Sequence, residues 1–305
     1  MIRKLGMVGL GRMGGNMSRR LARAGLDVIA WDRAADARAA FSNEPRVTAA
    51  ETLESLVAAL PMPRVVWLML PAGAPTEDTL QRLSGLLSRG DIVVDGGNAM
   101  YKDSQRHAQA LAAAGLQFVD AGVSGGVWGL DNGYGLMVGG DAETVRAIEP
   151  VLRALAPAPD RGWVHCGPAG AGHFAKMVHN GIEYGMMQAY AEGFALMRAK
   201  TELSLDVAKI AEAWRHGTVI RSWLLDLTAE FLAADATLES IAPVVADSGE
   251  GRWTAVESID LGVPTPVMTM ALMERYASQG RADFTNRLLS RMRQAFGGHA
   301  VTKKP

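Results

Sequence analysis

The 305-residue sequence contains a single cysteine, Cys166, and only 6% aromatic residues. One thiol excludes a disulfide framework and a zinc site built from cysteines. The formal net charge of −1 provides no general attraction to nucleic acid or to an anionic membrane surface. The amino terminus lacks a signal-peptide pattern, and no long uncharged apolar run predicts a membrane-spanning helix. These absences favour a reduced, cytoplasmic enzyme.

The chain is long enough for two domains, and 49% of its residues are hydrophobic, which allows a sizeable core. Strand-like and helical segments alternate as far as Cys166, whereas helical segments dominate after it. This alternation predicts an α/β fold with a Rossmann-type, doubly wound, mostly parallel sheet. We therefore expect a dinucleotide-binding domain over residues 1–166. An all-helical domain is expected over residues 167–305.

A glycine-rich turn follows the first apolar run of the chain. Gly9, Gly11 and Gly14 match the G-x-G-x-x-G pattern, and Met13 lies within it. A helical segment and a second apolar run follow, and the second run ends at Asp32. This order is the dinucleotide-binding fingerprint, in which the turn approaches the pyrophosphate and the helix N-terminus faces its negative charge. All five residues are predicted to bind the cofactor.

Two residues at the end of the second predicted strand bear on the choice between NAD and NADP. Asp32 can accept hydrogen bonds from both ribose hydroxyls of NAD, and it would repel the 2′-phosphate of NADP. Arg33 has the opposite tendency, because a guanidinium can stack on adenine or bind that phosphate. Alternatively, Arg33 is only a solvated loop residue. We expect NAD as the cofactor, with NADP as the second candidate.

Further strands are predicted at Val47–Ala49, Val65–Leu70, Ile92–Asp95, Gln117–Asp120, Tyr134–Val138 and Trp163–Cys166. In a doubly wound sheet, ligands bind beyond the carboxyl ends of the strands. Leu70, Asn98 and Ser124 lie at three such ends, and glycine pairs stand beside the last two. Paired glycines usually mark turns, but Asn98 and Ser124 also offer neutral groups for hydroxyls or a carboxylate. We expect Leu70 and Asn98 to contact the cofactor.

Residues 172–199 are predicted to form one long buried helix, because this segment has no proline and an apolar interior. The helix carries five polar residues at helical spacing, namely Lys176, His179, Asn180, Glu183 and Tyr184. These positions share one helical face. A buried ammonium and carboxylate on that face can act as base and acid. The alternative is an ordinary polar stripe that faces solvent.

Several blocks of the sequence resemble a known family, namely GLGRMGGNM at 9–17, DGGNAMYKDS at 95–104, GVSGG at 122–126, GHFAKMVHNGIEYGMMQAYAEGF at 172–194 and GEGRWT at 249–254. Over essentially its whole length, the chain resembles the short-form, decarboxylating 6-phosphogluconate dehydrogenases. Related β-hydroxyacid dehydrogenases typically have K-x-x-N-N where this chain has K-M-V-H-N. The resemblance implies oxidative decarboxylation of 6-phospho-D-gluconate to D-ribulose 5-phosphate and carbon dioxide, with NAD⁺ as hydride acceptor and no metal.

The resemblance also implies the catalytic roles of three residues. Neutral Lys176 would take the proton of the substrate C3 hydroxyl. Protonated Lys176 would then hydrogen-bond the C3 carbonyl oxygen while carbon dioxide leaves. Glu183 would protonate C1 of the enediol, and Asn180 completes the catalytic group.

The substrate-binding positions follow from the same resemblance. Those for the carboxylate and hydroxyls are Asn98, Ser124, Gly125, Gly126, His179 and Asn180, and those for the phosphate are Tyr184, Arg252, Thr254 and Arg275. Position 252 is commonly lysine in the family, but an arginine fork suits a phosphate at least as well. Arg293 and His299 reproduce a family spacing that reaches into the neighbouring subunit's site. The resemblance thus implies a homodimer or homotetramer with active sites completed in trans, and it assigns substrate binding and dimerisation to residues 167–305. Without the resemblance, Arg275 and Arg293 would be read as helix-surface cations and the tail as disordered.

The sequence departs from long-form members of the family in two ways. It reads GVWGLDNGYGLM at 126–137, where acidic residues and a G-P are common, and its helical part is shorter. Two other functions stay open. One is a β-hydroxyacid dehydrogenase that acts on an unphosphorylated substrate such as 3-hydroxyisobutyrate, against which Arg252 argues. The other is a nucleotide-sensing protein without turnover, against which Lys176 and Glu183 argue.

Overall fold

A computed structural model describes residues 2–303 of the chain. The chain divides into two compact units, of which the first ends at Met177 and the second begins at Val178. The division lies inside a single helix, α8 (Ala171–Ala199). Each unit has hydrophobic core clusters of its own, so both contain the buried apolar surface that a folded domain requires.

The first unit is built on one sheet of the strands β1 (Lys4–Val8), β2 (Asp27–Trp31), β3 (Val47–Ala49), β4 (Val65–Leu68), β5 (Ile92–Asp95), β6 (Gln117–Ser124), β7 (Gly135–Gly140) and β8 (Trp163–Gly167). Their order is β3-β2-β1-β4-β5-β6-β7-β8. Neighbouring strands pair in parallel except β6 and β7, which are antiparallel. The first six strands have the order of a dinucleotide-binding sheet. The predicted doubly wound, mostly parallel α/β class is therefore confirmed.

Helices cover both faces of this sheet, namely α1 (Arg12–Arg23), α2 (Ala35–Ala39), α3 (Leu53–Ala58), α4 (Ala74–Leu86), α5 (Tyr101–Ala113), α6 (Gly129–Asn132) and α7 (Ala142–Leu155). Alternate residues of a strand point to opposite faces. On β4, Val65 and Trp67 join a core cluster with residues of α1 and α7. Val66 and Leu68 join a second cluster, with residues of α3, α4 and α5.

In the second unit, the described residues after α8 form the helices α9 (Val207–Trp214), α10 (Trp223–Ala234), α11 (Glu250–Asp260), α12 (Pro266–Ser278) and α13 (Asp283–Gly297). Side-chain caps fix two of the starting points. Asp206 accepts a hydrogen bond from the backbone N–H of Lys209 before α9, and Ser222 accepts one from Leu225 before α10. The predicted all-helical character of this part of the chain is confirmed.

The prediction that α8 is buried along its length is wrong for the part of the helix from Ile182 onwards, where most residues are exposed. Residues of α9 and α10 pack on α8 around Phe194, and residues of α11 and α12 pack on it around Tyr184. Apolar side chains between and beyond these contacts remain accessible, with Ile182 52% and Leu196 74% exposed. Helical spacing shows which residues share a face, but it does not show which faces another element covers.

Several predicted strands have different limits in the structure: β4 ends at Leu68 and β8 at Gly167, and the changes in β6 and β7 bear on the predicted substrate site. β6 continues to Ser124, because its last residues pair antiparallel with β7 as far as Gly135. β7 begins after Tyr134, whose backbone N–H donates to the carbonyl oxygen of Leu155 instead of joining the sheet. Ser124 is therefore the last residue of a strand, directly before the two glycines of the predicted substrate site.

Candidate active site

The glycine turn after β1 fits a bound pyrophosphate. Gly9 has a φ of +95°, and a Cβ at this position would overlap the carbonyl oxygen of Met69. A Cβ at Gly14 would overlap the carbonyl oxygen of Gly9. Gly11, in contrast, faces open space as the N-cap of α1. Two glycines thus permit close packing, and the third leaves the helix N-terminus accessible to an anion. Met13 packs partly buried against the core.

Asp32 lies directly beside this turn. Its Oδ2 accepts a hydrogen bond from the backbone N–H of Leu10 at 2.7 Å, and its Oδ1 accepts one from Ala34 at 2.8 Å. The guanidinium of Arg38 donates to the backbone carbonyl oxygens of Asp32 and Arg33. Arg33 itself is exposed. The loop therefore presents a fixed carboxylate beside the glycine turn and one accessible guanidinium next to it.

Leu70 and Asn98 follow the neighbouring strands β4 and β5. A Cβ at Gly97 would lie 2.6 Å from the carbonyl oxygen of Leu70, so these two strand ends approach each other too closely for a larger residue. The Gly97 backbone N–H donates to the buried Asp95 carboxylate at 3.0 Å. Asn98 is exposed next to this turn. Both predicted contact residues thus stand at the edge of the sheet where cofactors bind.

A buried carboxylate anchors the first turn of α8 to the sheet. Asp120, which is fully buried on β6, accepts hydrogen bonds from the backbone N–H groups of Gly170 at 2.6 Å and His173 at 2.8 Å. A Cβ at Gly122 would overlap the Cβ of Lys176, so the lysine side chain starts in direct contact with β6. The sheet thereby fixes the position of Lys176.

Close backbone contact and a side-chain hydrogen bond reinforce this anchor. A Cβ at Gly172 would lie 2.7 Å from the backbone nitrogen of Gly139 on β7. The buried His173 side chain shares a hydrogen bond of 2.6 Å with Ser104 of α5. The start of α8 is thus joined to two strands and a helix of the first unit.

The predicted substrate residues Ser124, Gly125 and Gly126 form the end of β6 and the turn after it. Gly125 has a φ of +131° and Gly126 a φ of +52°, which are conformations that L-residues with side chains rarely adopt. Ser124 is half-buried. The glycine pair is therefore required by the turn, and it leaves the Ser124 hydroxyl at a strand end.

In the second unit, three predicted residues of α8 belong to one polar network. Asn180 donates from Nδ2 to Oε1 of Glu250 at 3.0 Å. His179 Nδ1 lies 3.0 Å from Asn180 Oδ1 and 3.9 Å from Glu183 Oε2. The carboxylate of Glu183 is about half exposed, so solvent or a ligand can reach it. The network contains one imidazole, one amide and two carboxylates.

The predicted phosphate residues lie around a buried carboxylate, Asp247. Its Oδ2 accepts from Arg252 Nη2 at 2.8 Å, and its Oδ1 accepts from the Tyr184 hydroxyl at 3.2 Å. The guanidinium of Arg275 lies 3.4 Å from the centre of the Tyr184 ring, a cation–π contact. Burial is the largest single effect on Asp247 and opposes its ionisation, but the hydrogen bonds from Arg252, the Gly249 backbone and Tyr184 together outweigh it and keep the pKa of Asp247 below the usual value. Two guanidiniums and a phenol are thus brought together.

Thr254 lies on the same helix as Arg252 but is turned inwards. It is buried, and its hydroxyl donates to the backbone carbonyl oxygen of Glu250 at 2.9 Å. Its methyl group would lie 2.7 Å from a Cβ at Gly181, which accounts for a glycine at that position of α8. Thr254 therefore packs α11 against α8, and its hydroxyl already has a partner.

The structure does not bring Arg293 and His299 to the phosphate residues. Arg293 is exposed on α13, and the His299 ring packs edge-on against Phe296 at a centroid distance of 6.4 Å. Within residues 2–303, no hydrogen bond or ion pair links either residue to Tyr184 or Arg252. A role for these two residues in the site of the same chain has no support in this geometry.

Sequence reasoning missed Asp247 and Glu250 as parts of the site. Glu250 lies within the GEGRWT block at 249–254 and Asp247 two residues before it, but the resemblance assigns roles only to the arginine and threonine of that block. The available signal was two acidic residues beside a proposed phosphate-binding arginine, which is unusual for an anion site. In the structure, Glu250 accepts a hydrogen bond from Asn180 of α8, and Asp247 accepts from both Tyr184 of α8 and Arg252.

Neither a metal-binding cluster nor a helix that could span a membrane is found among residues 2–303. Between residues 2 and 303, no group of three or more histidine, cysteine or carboxylate side chains is arranged to bind a metal ion. No helix in that range is long and apolar enough to span a membrane.

Comparison with known proteins gives matches over nearly the whole chain. Residues 4–167 match the family model described as the NAD binding domain of 6-phosphogluconate dehydrogenase. Residues 172–303 match the model of the 6-phosphogluconate dehydrogenase C-terminal domain. The chain is also 42% identical over 305 residues to a Haloferax volcanii protein named as an NAD(+)-dependent, decarboxylating 6-phosphogluconate dehydrogenase, covering 99% of each.

Solved structures show the same relationship. The 6-phosphogluconate dehydrogenase of Plasmodium falciparum is 28% identical, with a TM-score of 0.83 over 99% of this chain and 66% of that chain. The 3-hydroxyisobutyrate dehydrogenase of Mycobacterium tuberculosis is 23% identical, with a TM-score of 0.69 over 93% of this chain and 94% of that chain. The second likeness concerns the fold alone.

Proposed function

Because the chain belongs to the 6-phosphogluconate dehydrogenase family of oxidoreductases, we propose that it converts 6-phospho-D-gluconate into D-ribulose 5-phosphate and carbon dioxide. The proposal is supported by the grouping of polar and cationic side chains in the second unit. The phenol of Tyr184 and the guanidiniums of Arg252 and Arg275 gather in the same unit as the network of His179 and Asn180. A substrate with a phosphate at one end and hydroxyls along its length fits such a combination.

The catalytic steps are assigned to two residues of α8 that lie seven positions apart and share one face of the helix. Neutral Lys176 takes the proton from the C3 hydroxyl as that carbon is oxidised. Protonated Lys176 then donates a hydrogen bond to the C3 carbonyl oxygen, which stabilises the negative charge that forms when carbon dioxide leaves. Glu183 protonates C1 of the enediol. Each proton transfer is expected to accelerate the reaction by a factor of about 10²–10⁴.

Substrate contacts divide between the two ends of 6-phosphogluconate. Asn98, Ser124 and the backbone of Gly125 and Gly126 bind the carboxylate and hydroxyls, together with His179 and Asn180 on α8. Tyr184, Arg252 and Arg275 bind the phosphate, with Thr254 in a supporting position. The buried Asp247 orients Arg252 and Tyr184, because both donate hydrogen bonds to it. Residues 1–166 serve nucleotide binding in this proposal, and residues 167–305 serve substrate binding and subunit contacts.

NAD⁺ is the proposed cofactor, and when bound it supplies the hydride acceptor. Gly9, Gly11, Met13 and Gly14 form the pyrophosphate turn. Asp32 accepts hydrogen bonds from the adenosine ribose, and its charge disfavours the 2′-phosphate of NADP. NADP remains the second candidate because of the exposed Arg33. The name of the Haloferax volcanii relative supports the choice of NAD.

We also propose a homodimer or homotetramer in which Arg293 and His299 complete the site of a neighbouring subunit. The support is the exposure of α13, which has no buried residue in the isolated chain. A helix that carries Phe284, Leu288 and Met292 on its exposed surface gains stability when another chain covers it. The cytoplasmic location expected from the sequence stays a prediction.

The decisive experiment measures initial rates of nicotinamide reduction with 6-phosphogluconate, using NAD and NADP separately, while carbon dioxide is trapped. We expect stoichiometric carbon dioxide and a strong preference for NAD. Unphosphorylated gluconate and 3-hydroxyisobutyrate serve as control substrates. Equal rates without the phosphate would contradict the phosphate site and favour the β-hydroxyacid alternative. Tight NAD binding without turnover of any sugar acid would favour the nucleotide-sensing alternative.

A further inference from the structure

Glu250 is a buried carboxylate that the proposed mechanism does not use. It is the first residue of α11 and is only 5% exposed, and its Oε1 accepts a hydrogen bond from Asn180 at 3.0 Å. We propose that Glu250 is a positioning residue that fixes the orientation of the Asn180 amide and, through it, the tautomer of His179. Only the identity of the ligand in this inference rests on the proposed function.

The carboxylate of Glu250 fixes the orientation of the Asn180 amide. Nδ2 of Asn180 donates to a carboxylate oxygen of Glu250, so the NH₂ group of the amide faces Glu250. The amide carbonyl oxygen then points away from Glu250. It lies 3.0 Å from Nδ1 of His179, within hydrogen-bond distance. The carboxylate thereby decides that the imidazole meets an oxygen and not an NH₂ group.

The amide oxygen of Asn180 determines which nitrogen of the His179 imidazole carries the proton. A hydrogen bond between Nδ1 of His179 and an amide oxygen exists only when Nδ1 carries the proton. Glu183 Oε2, at 3.9 Å from the same nitrogen, is another acceptor and favours the same tautomer. In the neutral imidazole, Nε2 then has no proton and is an acceptor. With the opposite tautomer, Nδ1 and the amide oxygen would be two acceptors facing each other.

The tautomer of His179 determines which group of a ligand its Nε2 can bind. An Nε2 acceptor receives a hydrogen bond from a hydroxyl group, whereas an Nε2–H donor prefers a carbonyl or carboxylate oxygen. Glu250 therefore prepares His179 to accept from a hydroxyl of the sugar acid before the substrate arrives. A charge that is buried behind Asn180 sets this preference without contacting the substrate.

The tautomer can be measured without substrate or cofactor, by nitrogen-15 NMR of the histidine ring nitrogens in the full-length chain. The chain has six histidines, and the His179→Gln variant identifies the signals of His179 by their loss. We expect the Nδ1–H tautomer in the wild-type protein. The Glu250→Ala variant is expected to shift the population towards Nε2–H, because the NH₂ group of Asn180 then loses the carboxylate that orients it.

Glu257→Ala is the matched control, since Glu257 is another buried carboxylate farther along α11. This variant is expected to leave the His179 tautomer unchanged. Asn180→Ala removes the amide that links Glu250 to His179. Because Asn180 is only half-buried, this variant tests the proposal if Glu250→Ala does not fold. An unchanged tautomer in folded Glu250→Ala, or in Asn180→Ala, overturns the proposal. A wild-type His179 in the Nε2–H form overturns it as well.

Kinetics provide a second readout. If 6-phosphogluconate is turned over, Glu250→Ala and Asn180→Ala should each lower kcat/KM by about tenfold to a hundredfold. The double variant should be no worse than Asn180→Ala alone, because the proposed effect of Glu250 on His179 passes through Asn180. Additive losses would show that Glu250 has an independent, structural role. If the wild type shows no turnover, the proposed function fails, while the tautomer measurement still tests Glu250.

Discussion

At the scale of single residues, Asp32 is the clearest test of cofactor choice. Both of its carboxylate oxygens receive backbone hydrogen bonds, which fix its charge beside the glycine turn. Asp32→Ala is expected to lower the ratio of kcat/KM for NAD over NADP by about tenfold or more, because a like-charge repulsion with the 2′-phosphate is removed. Arg33→Ala is the paired control and should raise that ratio. An unchanged ratio in Asp32→Ala would assign the selectivity to Arg33 or the loop after it.

Lys176 carries the most specific catalytic prediction. Lys176→Met retains the length of the side chain but cannot accept or donate a proton. Turnover is expected to fall by about three orders of magnitude while NAD binding, measured by fluorescence titration, stays intact. Turnover close to that of the wild type would remove Lys176 from the mechanism. A simultaneous loss of NAD binding would instead indicate a disturbed first turn of α8.

Sequence patterns can single out candidate residues only where the relevant neighbours lie close along the chain. The glycine turn and Asp32 lie within one strand–helix–strand unit, so spacing alone identifies them. Asp120, in contrast, accepts from a backbone group 50 positions away, and Glu250 accepts from a side chain 70 positions away. No local pattern connects such residues, because the contact exists only after the chain has folded.

At the scale of elements, a substitution of Gly122 tests whether the contact of α8 with β6 positions Lys176. Gly122→Ala would place a methyl group on the Cβ of Lys176 and force the first turn of α8 to shift. We expect a fall of at least tenfold in kcat, since a displacement of about 1 Å is enough for such losses. Nicotinamide binding should be retained, as measured by fluorescence titration.

The matched control is Gly193→Ala on the same helix, where an added Cβ meets no atom within 4 Å. Alanine has the higher helix propensity, so this variant should keep its activity and gain roughly 0.5–1 kcal/mol in the free energy of unfolding. Full activity of Gly122→Ala would show that α8 can move away from the sheet without moving the lysine out of its place.

The sequence predicted the strands because buried parallel strands appear as short apolar runs. It did not predict the antiparallel continuation of β6 and β7, which depends on pairing between Ser124 and Gly135. It was also wrong about the burial of α8. The apolar residues Ile182 and Leu196 resemble core residues by composition, but no described element of the same chain covers them.

At the scale of the whole molecule, the buried hydroxyl of Tyr134 bears on stability. Tyr134 is fully buried in the core of the first unit, and its hydroxyl has no hydrogen-bond partner among residues 2–303. Tyr134→Phe is therefore expected to raise the free energy of unfolding by about 1 kcal/mol at neutral pH, measured in urea. Tyr190→Phe is the control with the opposite sign, because its hydroxyl is bonded to Ser222 at 3.0 Å.

The stability difference between Tyr134→Phe and the wild type is expected to depend on pH. Burial raises the pKa of Tyr134 to about 12, against an ordinary value of 10.0. Between these values the unfolded chain loses the proton and the folded chain keeps it, so stability that is present below pH 10 is lost as the pH rises towards 12. The advantage of Tyr134→Phe over the wild type should accordingly widen above pH 10. An advantage that stays constant would contradict the burial of this hydroxyl.

The assembly of the molecule is tested by complementation between two inactive variants. The isolated chain leaves α13 uncovered, with Phe284 74% and Phe296 78% exposed, and Arg293 and His299 lie in this region away from the phosphate residues. If His299 serves the neighbouring subunit, Lys176→Met and His299→Ala chains should each be nearly inactive alone. A hybrid of the two contains one site with both groups intact, so activity should return after the chains are mixed and allowed to exchange.

If His299 served its own chain, every site of the hybrid would still lack either Lys176 or His299, and no activity would return. Exchange must therefore be verified separately, by sedimentation of differently tagged chains. A control for the helix itself is Leu288→Glu with Met292→Glu, which places charge on the exposed apolar stripe of α13. This double variant should sediment as a monomer and lose turnover while NAD binding remains. A wild-type chain that is monomeric and active would exclude completion in trans, because a single chain would then contain all the groups that the reaction needs.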